Sequence, residues 1–238
     1  MTETATKRKT AQVLHQEPTG YSALPAGAHV DDATVTAIKA SALRAFYRHG
    51  YHGTSVRDIA NGGGMSVAGL YHHFRSKVDI LFELISGVMD DLIRETEAAL
   101  TGAGDHPADQ LQAIVTAHVL FHTHRYEESF VGNTELRSFD NERRRAIIAM
   151  RDHQQSLFDV VVSRGAERGV FATPYPVEAS RAIVTMSTAV ATWYRSDGPL
   201  SPEQIAERYS VLALNAVDYR TGRADGGSGQ TTTNGGDR

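Results

Sequence analysis

Three groups of side chains in this 238-residue sequence have types and spacings that chemistry can use. The first lies in residues 54–77, TSVRDIANGGGMSVAGLYHHFRSK. It gathers Ser55, Arg57, Ser66, Tyr71, His72, His73 and Lys77 around a single acid, Asp58. The stretch lies in the basic head of the chain, residues 1–80 with a charge of +3, which weighs toward a polyanionic partner. The second group is His118 and His122, at i and i+4, the spacing with which two imidazoles on one helix face reach a metal. His124 and His153 lie near them in sequence or on a facing helix. No HExxH is present, and no acid stands in an obvious third-ligand position on that helix. The competing reading has these imidazoles lining a cavity or pairing with Glu128, Glu135 or Asp152. The third group is the run Glu142-Arg143-Arg144-Arg145, which is either a solvated face or a receiver of phosphates through bidentate guanidinium contacts. There is no Cys, so disulfides, thiolate metal sites and a Cys nucleophile are excluded.

The first group needs a scaffold that presents it. Thr54 or Ser55 caps a short helix carrying Val56, Ile59 and Ala60; Gly64 permits a sharp turn, and Met65 plugs it. Ser66 then caps a second helix from Val67 to about His73, with Leu70 and Phe74 facing inward. Two short helices joined by such a turn form a helix-turn-helix. The second would enter a DNA major groove with its N-terminal residues on base edges. Val67, Ala68, Tyr71 and His72 are expected to point outward. A tight helical hairpin within a core has the same spacing, so spacing alone leaves both readings open. Asn61-Gly62-Gly63-Gly64 predicts a weak end to the first helix, since each Gly costs about 0.5–1 kcal/mol relative to Ala.

The rest of the chain reads as all-α. Val35, Ile38, Ala42 and Phe46 form one helical stripe; Leu81, Leu84, Ile85, Val88 and Leu92 form another. Further helical patterns run over about 107–125, 127–137, 141–168, 177–195 and 202–220. Ser76 and Ser201 are N-cap signals, the latter followed by Pro202 and Gln204. The expected organisation is a flexible arm (1–30), a DNA-binding domain (31–77), a larger body (78–221) and a disordered Gly/Ser/Thr-rich tail (222–238). Residues 1–80 carry +3 and residues 81–238 carry −7, so a basic head rides on an acidic body. That split favours a polyanionic partner for the head, including the Lys7-Arg8-Lys9 arm. No run of 18 apolar residues and no signal-like N-terminus occur, which predicts a cytoplasmic protein without a membrane partner.

The segment GYHGTSVRDIA, followed by GMSVAGLYHHFRSKVDILFELI, closely resembles the DNA-binding domain of TetR-family transcriptional repressors. The resemblance implies that Arg57, Tyr71, His73 and Lys77 touch phosphates or bases, with Ser55, Ser66, Val67, Ala68 and His72 beside them. Val67-Ala68-Gly69 departs from the family in lacking the polar side chain common at that point. Base reading there reduces to apolar contact, such as with thymine methyls.

Much of residues 110–217 resembles actinobacterial repressors of fatty-acid and steroid catabolism that respond to acyl-CoA thioesters. This implies a small-molecule effector, a double-stranded DNA operator, a homodimer and no enzymatic activity. His118, Phe121, His122, Met150, Phe158, Met186 and Trp193 are the candidate effector residues, since ligand sites between helices are mostly apolar with few polar anchors. Ile183, Val190, Ile205, Tyr209, Leu212 and Ala216 are the candidate dimer interface, because the last two helices carry more apolar residues than one inward face needs. Two alternatives stay open: a TetR-like regulator of drug efflux, and a helical metal-dependent enzyme using His118 and His122.

Overall fold

The computed structural model describes residues 30–220. The expected arm, with its Lys7-Arg8-Lys9 cluster, and the expected tail lie outside the described residues. Among those residues the chain forms nine α-helices: α1 (Val30–Gly53), α2 (Val56–Gly62), α3 (Val67–His73), α4 (Lys77–Gly102), α5 (Pro107–His124), α6 (Tyr126–Thr134), α7 (Asn141–Glu167), α8 (Pro176–Trp193) and α9 (Pro202–Ala216). A 3-10 turn, Glu135–Ser138, follows α6, so the helix expected over 127–137 tightens before its end. An isolated antiparallel bridge joins Phe171 to Tyr219.

Side-chain caps mark the starts as the sequence implies. Ser55 and Asp58 form a capping box on α2, and Ser201 and Gln204 form one on α9. Ser76 Oγ accepts from the Asp79 amide at the head of α4, and Asp140 caps α7. Each such cap contributes about 1 kcal/mol. At Gly50, φ is 70° and α1 breaks; the freed Tyr51 amide donates to Glu135 Oε1 at 3.1 Å. The body therefore grips the end of the first helix from 84 residues away.

Two apolar clusters fill the interior. The first holds Ile38, Phe46, Ile59, Leu70, Ile80 and Leu81, and continues into the body through Phe121, Val131, Phe139 and Ile147. The second holds Leu111, Ile114, Phe158, Val162, Ile183, Val190 and Ile205. Burying side chains of this size stabilises by about 1.5–3 kcal/mol each. Helix α5 is central and packs against α4, α7, α8 and α9. Gly165 on α7 has the Phe171 ring directly against it, with no room for a Cβ.

Candidate DNA-binding surface and effector region

Helix α2 ends at Gly62, and Gly64 adopts a φ of 70°, the left-handed value that turns the chain toward α3. Met65 donates its amide to the Ala60 carbonyl at 3.0 Å and packs on the first cluster. The glycine run expected to weaken α2 has a packing reason. Ser41 lies against Gly62, where a Cβ would collide with its hydroxyl, and Ser41 Oγ donates to the Ile59 carbonyl at 2.8 Å.

Leu70 is fully buried and fixes the roll of α3. Ala68, Tyr71 and His72 then face outward, Tyr71 being 49% exposed. Arg57 is exposed on α2. Val67, expected outward with them, is half-buried against the first cluster. Both serines act in capping: Ser66 Oγ accepts from the Gly69 amide at 3.0 Å, and its own proton stays available. Ser55 Oγ donates to Asp58 Oδ2 at 2.6 Å and accepts from the Asp58 amide at 3.2 Å. That leaves Ser55 less free to donate to DNA than its sequence position implies.

Lys77 requires a correction. Its ammonium donates to the carbonyls of Tyr51 at 2.7 Å and Thr54 at 2.6 Å, and sits 4.2 Å from the centre of the Tyr51 ring. Burial pulls its pKa down, with nearby Glu135 opposing. The side chain therefore holds the α1–α2 junction against α4 instead of standing free for a phosphate. Arg75, which the sequence motifs did not single out, is exposed directly after α3. With half-buried His73 it borders a cleft of about 660 Å³ also lined by Asp79, Phe82, Glu142 and Arg143. Arg143 pairs with both Asp79 and Asp140, so the head of α7 is bolted to the head of α4. Arg144 and Arg145 are exposed.

The structure gathers only part of the expected effector set. His118 and His122 are buried and stacked, with ring centroids 4.4 Å apart. Phe158 meets His118 edge-on at 5.5 Å, and Phe121 lies 5.9 Å from His122. Met150 packs with the first cluster and Met186 with the second. Trp193 is 48% exposed and stacks on Tyr209, so it does not wall an interior site. Sequence reading also missed Thr96, Gln154 and Thr188. Gln154 Nε2 reaches Thr96 Oγ1 at 2.9 Å and His118 Nδ1 at 3.1 Å; His118 Nε2 reaches Thr188 Oγ1 at 3.0 Å. Their signal was Gln154 itself, a polar residue on the apolar stripe of α7.

Within this seam the two imidazoles are engaged by the protein itself. Both His118 ring nitrogens are spent, and His122 Nδ1 bonds the His118 carbonyl at 2.8 Å. Among the described residues no three metal-ligating side chains converge. Burial, with the neighbouring His122 adding to it, holds His118 well below the usual histidine range; burial lowers His122 to about 4 against the opposing hydrogen bond to the His118 carbonyl. Both shifts favour the neutral imidazoles. His124 is exposed, and His153 pairs at the surface with Glu97 at 3.1 Å.

The expected dimer set divides as well. Ile183, Val190 and Ile205 are buried within the chain's own second cluster and cannot face a partner. Leu212 is 49% exposed, Ala216 is exposed and Tyr209 is half-buried. Val211, 52% exposed, belongs to the same outer face of α9. Among the described residues no helix is long and apolar enough to cross a membrane.

Comparison with known proteins agrees with this architecture. Residues 38–84 match the family model described as bacterial regulatory proteins, tetR family. Residues 104–217 match the tetracyclin repressor-like C-terminal domain. The HTH-type transcriptional repressor KstR2 of Mycobacterium tuberculosis is 29% identical over 174 residues, covering 72% of this chain and 86% of its own. The crystal structure of the TetR family transcriptional regulator PfmR from Thermus thermophilus is 34% identical. It covers 75% of this chain and 97% of its own, with a TM-score of 0.70. AibR, solved in complex with isovaleryl coenzyme A and operator DNA, shares the fold at 24% identity. Its TM-score is 0.70, and the match covers 79% of this chain and 100% of its own. With relatives that are regulators and not enzymes, and a helix-turn-helix formed by α2 and α3, this chain belongs to the TetR family of transcriptional repressors.

Proposed function

We propose that the protein is a cytoplasmic, ligand-relieved repressor. A homodimer would set two copies of α3 into major grooves of a palindromic operator, and an acyl-CoA thioester of lipid or steroid catabolism would release it. Residues 31–77 would bind DNA and residues 78–221 would bind effector and partner. The outward row Ala68, Tyr71 and His72, on a helix pinned from behind by Leu70, carries the reading. Arg57, Ser66 and His73 flank that row, Val67 packs behind it, and Lys77 sets the pose of α2. The buried seam around His118, His122 and Phe158 is the body's candidate effector site, and the Arg143–Asp79 pair ties α7 to the head of α4, the helix that follows α3. Regulation needs only that the effector prefer one of two states.

The efflux-regulator alternative wants carboxylates inside the body to receive a cationic drug. Among the described residues the fully buried polar side chains are Ser, Thr, Gln and His, with no Asp or Glu. That favours an uncharged or anionic effector. The test is fluorescence anisotropy on a duplex selected from random-sequence DNA. Octanoyl-CoA is expected to weaken duplex binding at least tenfold, and the duplex to weaken octanoyl-CoA binding by the same factor. Release by tetraphenylphosphonium with none by octanoyl-CoA would reverse the choice.

A further inference from the structure

The inward stripe of α7 is interrupted by charge. Ile147, Gln154 and Phe158 on it are buried, and Arg151 stands on the same face, four residues from Ile147 and three from Gln154. The Arg151 guanidinium is partly buried, and the bond it makes is from Nη2 to the Gly132 carbonyl of α6 at 2.7 Å. Among the described residues no carboxylate pairs with it, although a guanidinium has five donors to place. Burial acts on this cation unopposed and lowers its pKa. Arg125 shows the contrast, meeting Asp91 at 2.6 Å and Glu128 at 3.1 Å.

Polar atoms with unmet capacity stand nearby in the fold. Gln154 Oε1 is buried with no donor, although Nε2 of the same amide is bonded twice. Ser129 Oγ, three residues before Gly132 on α6, is buried and unpartnered. Such groups are costly to leave unpaired, and each calls for a missing partner. The polarity of that partner follows from the set: an anion for Arg151 and a donor for Gln154.

We infer that Arg151 binds an anionic group of the effector, a phosphate or a carboxylate, and that Gln154 accepts from a donor on the same molecule. This rests on the effector reading above. A purely structural Arg151 would only cap the last turn of α6, a task that involves one donor and no ligand.

Titration calorimetry on the full chain separates these roles with three probes: octanoyl-CoA, octanoate and the neutral thioester S-octanoyl-pantetheine. The wild type is expected to bind an anionic probe at least tenfold more tightly than the neutral thioester. Arg151→Met is expected to lose that advantage, a tenfold loss or about 1.4 kcal/mol, while binding S-octanoyl-pantetheine unchanged. Arg151→Lys keeps the charge and is expected to retain part of the preference. Advantage with octanoyl-CoA identifies phosphate as the group held, and advantage with octanoate identifies carboxylate. Equal wild-type affinity for charged and neutral probes overturns the inference without any variant. So does a helical Arg151→Met that binds octanoyl-CoA like the wild type. Failure of the wild type to bind all three at millimolar concentration sinks the acyl-effector reading itself.

Discussion

Leu212→Glu yields a folded monomer with operator affinity reduced at least 100-fold. Leu212 is half-exposed on the outer face of α9, beside Val211 and Ala216. Surface substitutions of this kind change the stability of a single chain by about ±0.5 kcal/mol. In a two-fold interface the same substitution occurs twice and self-complementarity brings the two charges close together. Losing the second recognition helix removes an avidity gain on the order of 10²–10⁴. Sedimentation velocity reads the monomer, circular dichroism the retained helix, and anisotropy the lost affinity. Ile183→Glu is the control, since Ile183 is fully buried in the chain's own core and its replacement unfolds the body. A Leu212→Glu protein that stays dimeric and binds DNA normally would remove α9 from the interface.

Lys77→Met lowers stability and operator affinity together, with the salt dependence of binding unchanged. The substitution keeps the aliphatic stem but strands the Tyr51 and Thr54 carbonyls, each now bonded by the ammonium. Losing those bonds costs about 1–3 kcal/mol, which for a chain of this length lowers the melting temperature by roughly 3–10 °C. The α1–α2 junction loosens from α4, and α3 loses its fixed pose. A phosphate ligand behaves differently: its loss leaves the melting temperature alone and reduces the salt slope by about 1. Thermal melting and a salt titration on one variant separate the two roles.

The architecture was readable because local and global signals agree. Ser76, Ser201 and Pro202 start helices where their capping chemistry demands, and the α2–turn–α3 unit carries its own caps and glycine. Family resemblance then gave that unit its partner, which spacing alone had left open. Readability failed where a side chain's partner comes from far along the chain. Lys77 reads as a free cation until the carbonyls of Tyr51 and Thr54 are seen to fold over it. Glu135 ends the helical ladder of α6 early while binding the Tyr51 amide, a contact no periodicity encodes. Helical spacing finds the apolar face of α8 but not what covers it, so Ile183 and Val190 read as interface while α5 and α7 in fact pack over that helix. Arg151 stayed hidden for the same reason: a charge in a stripe reads as surface until the fold buries it.

The proposed repression requires sequence-specific recognition of DNA by a dimer through α3. Selection of bound duplexes from a random-sequence library, followed by sequencing, reads it without assuming an operator. The expected outcome is enrichment of a palindrome whose half-sites lie about one helical turn, ~34 Å, apart or a multiple of it. Tyr71→Ala is expected to abolish the enrichment while the protein stays folded. No enriched sequence, or an asymmetric site bound by one chain and indifferent to Tyr71, would contradict dimeric recognition through α3.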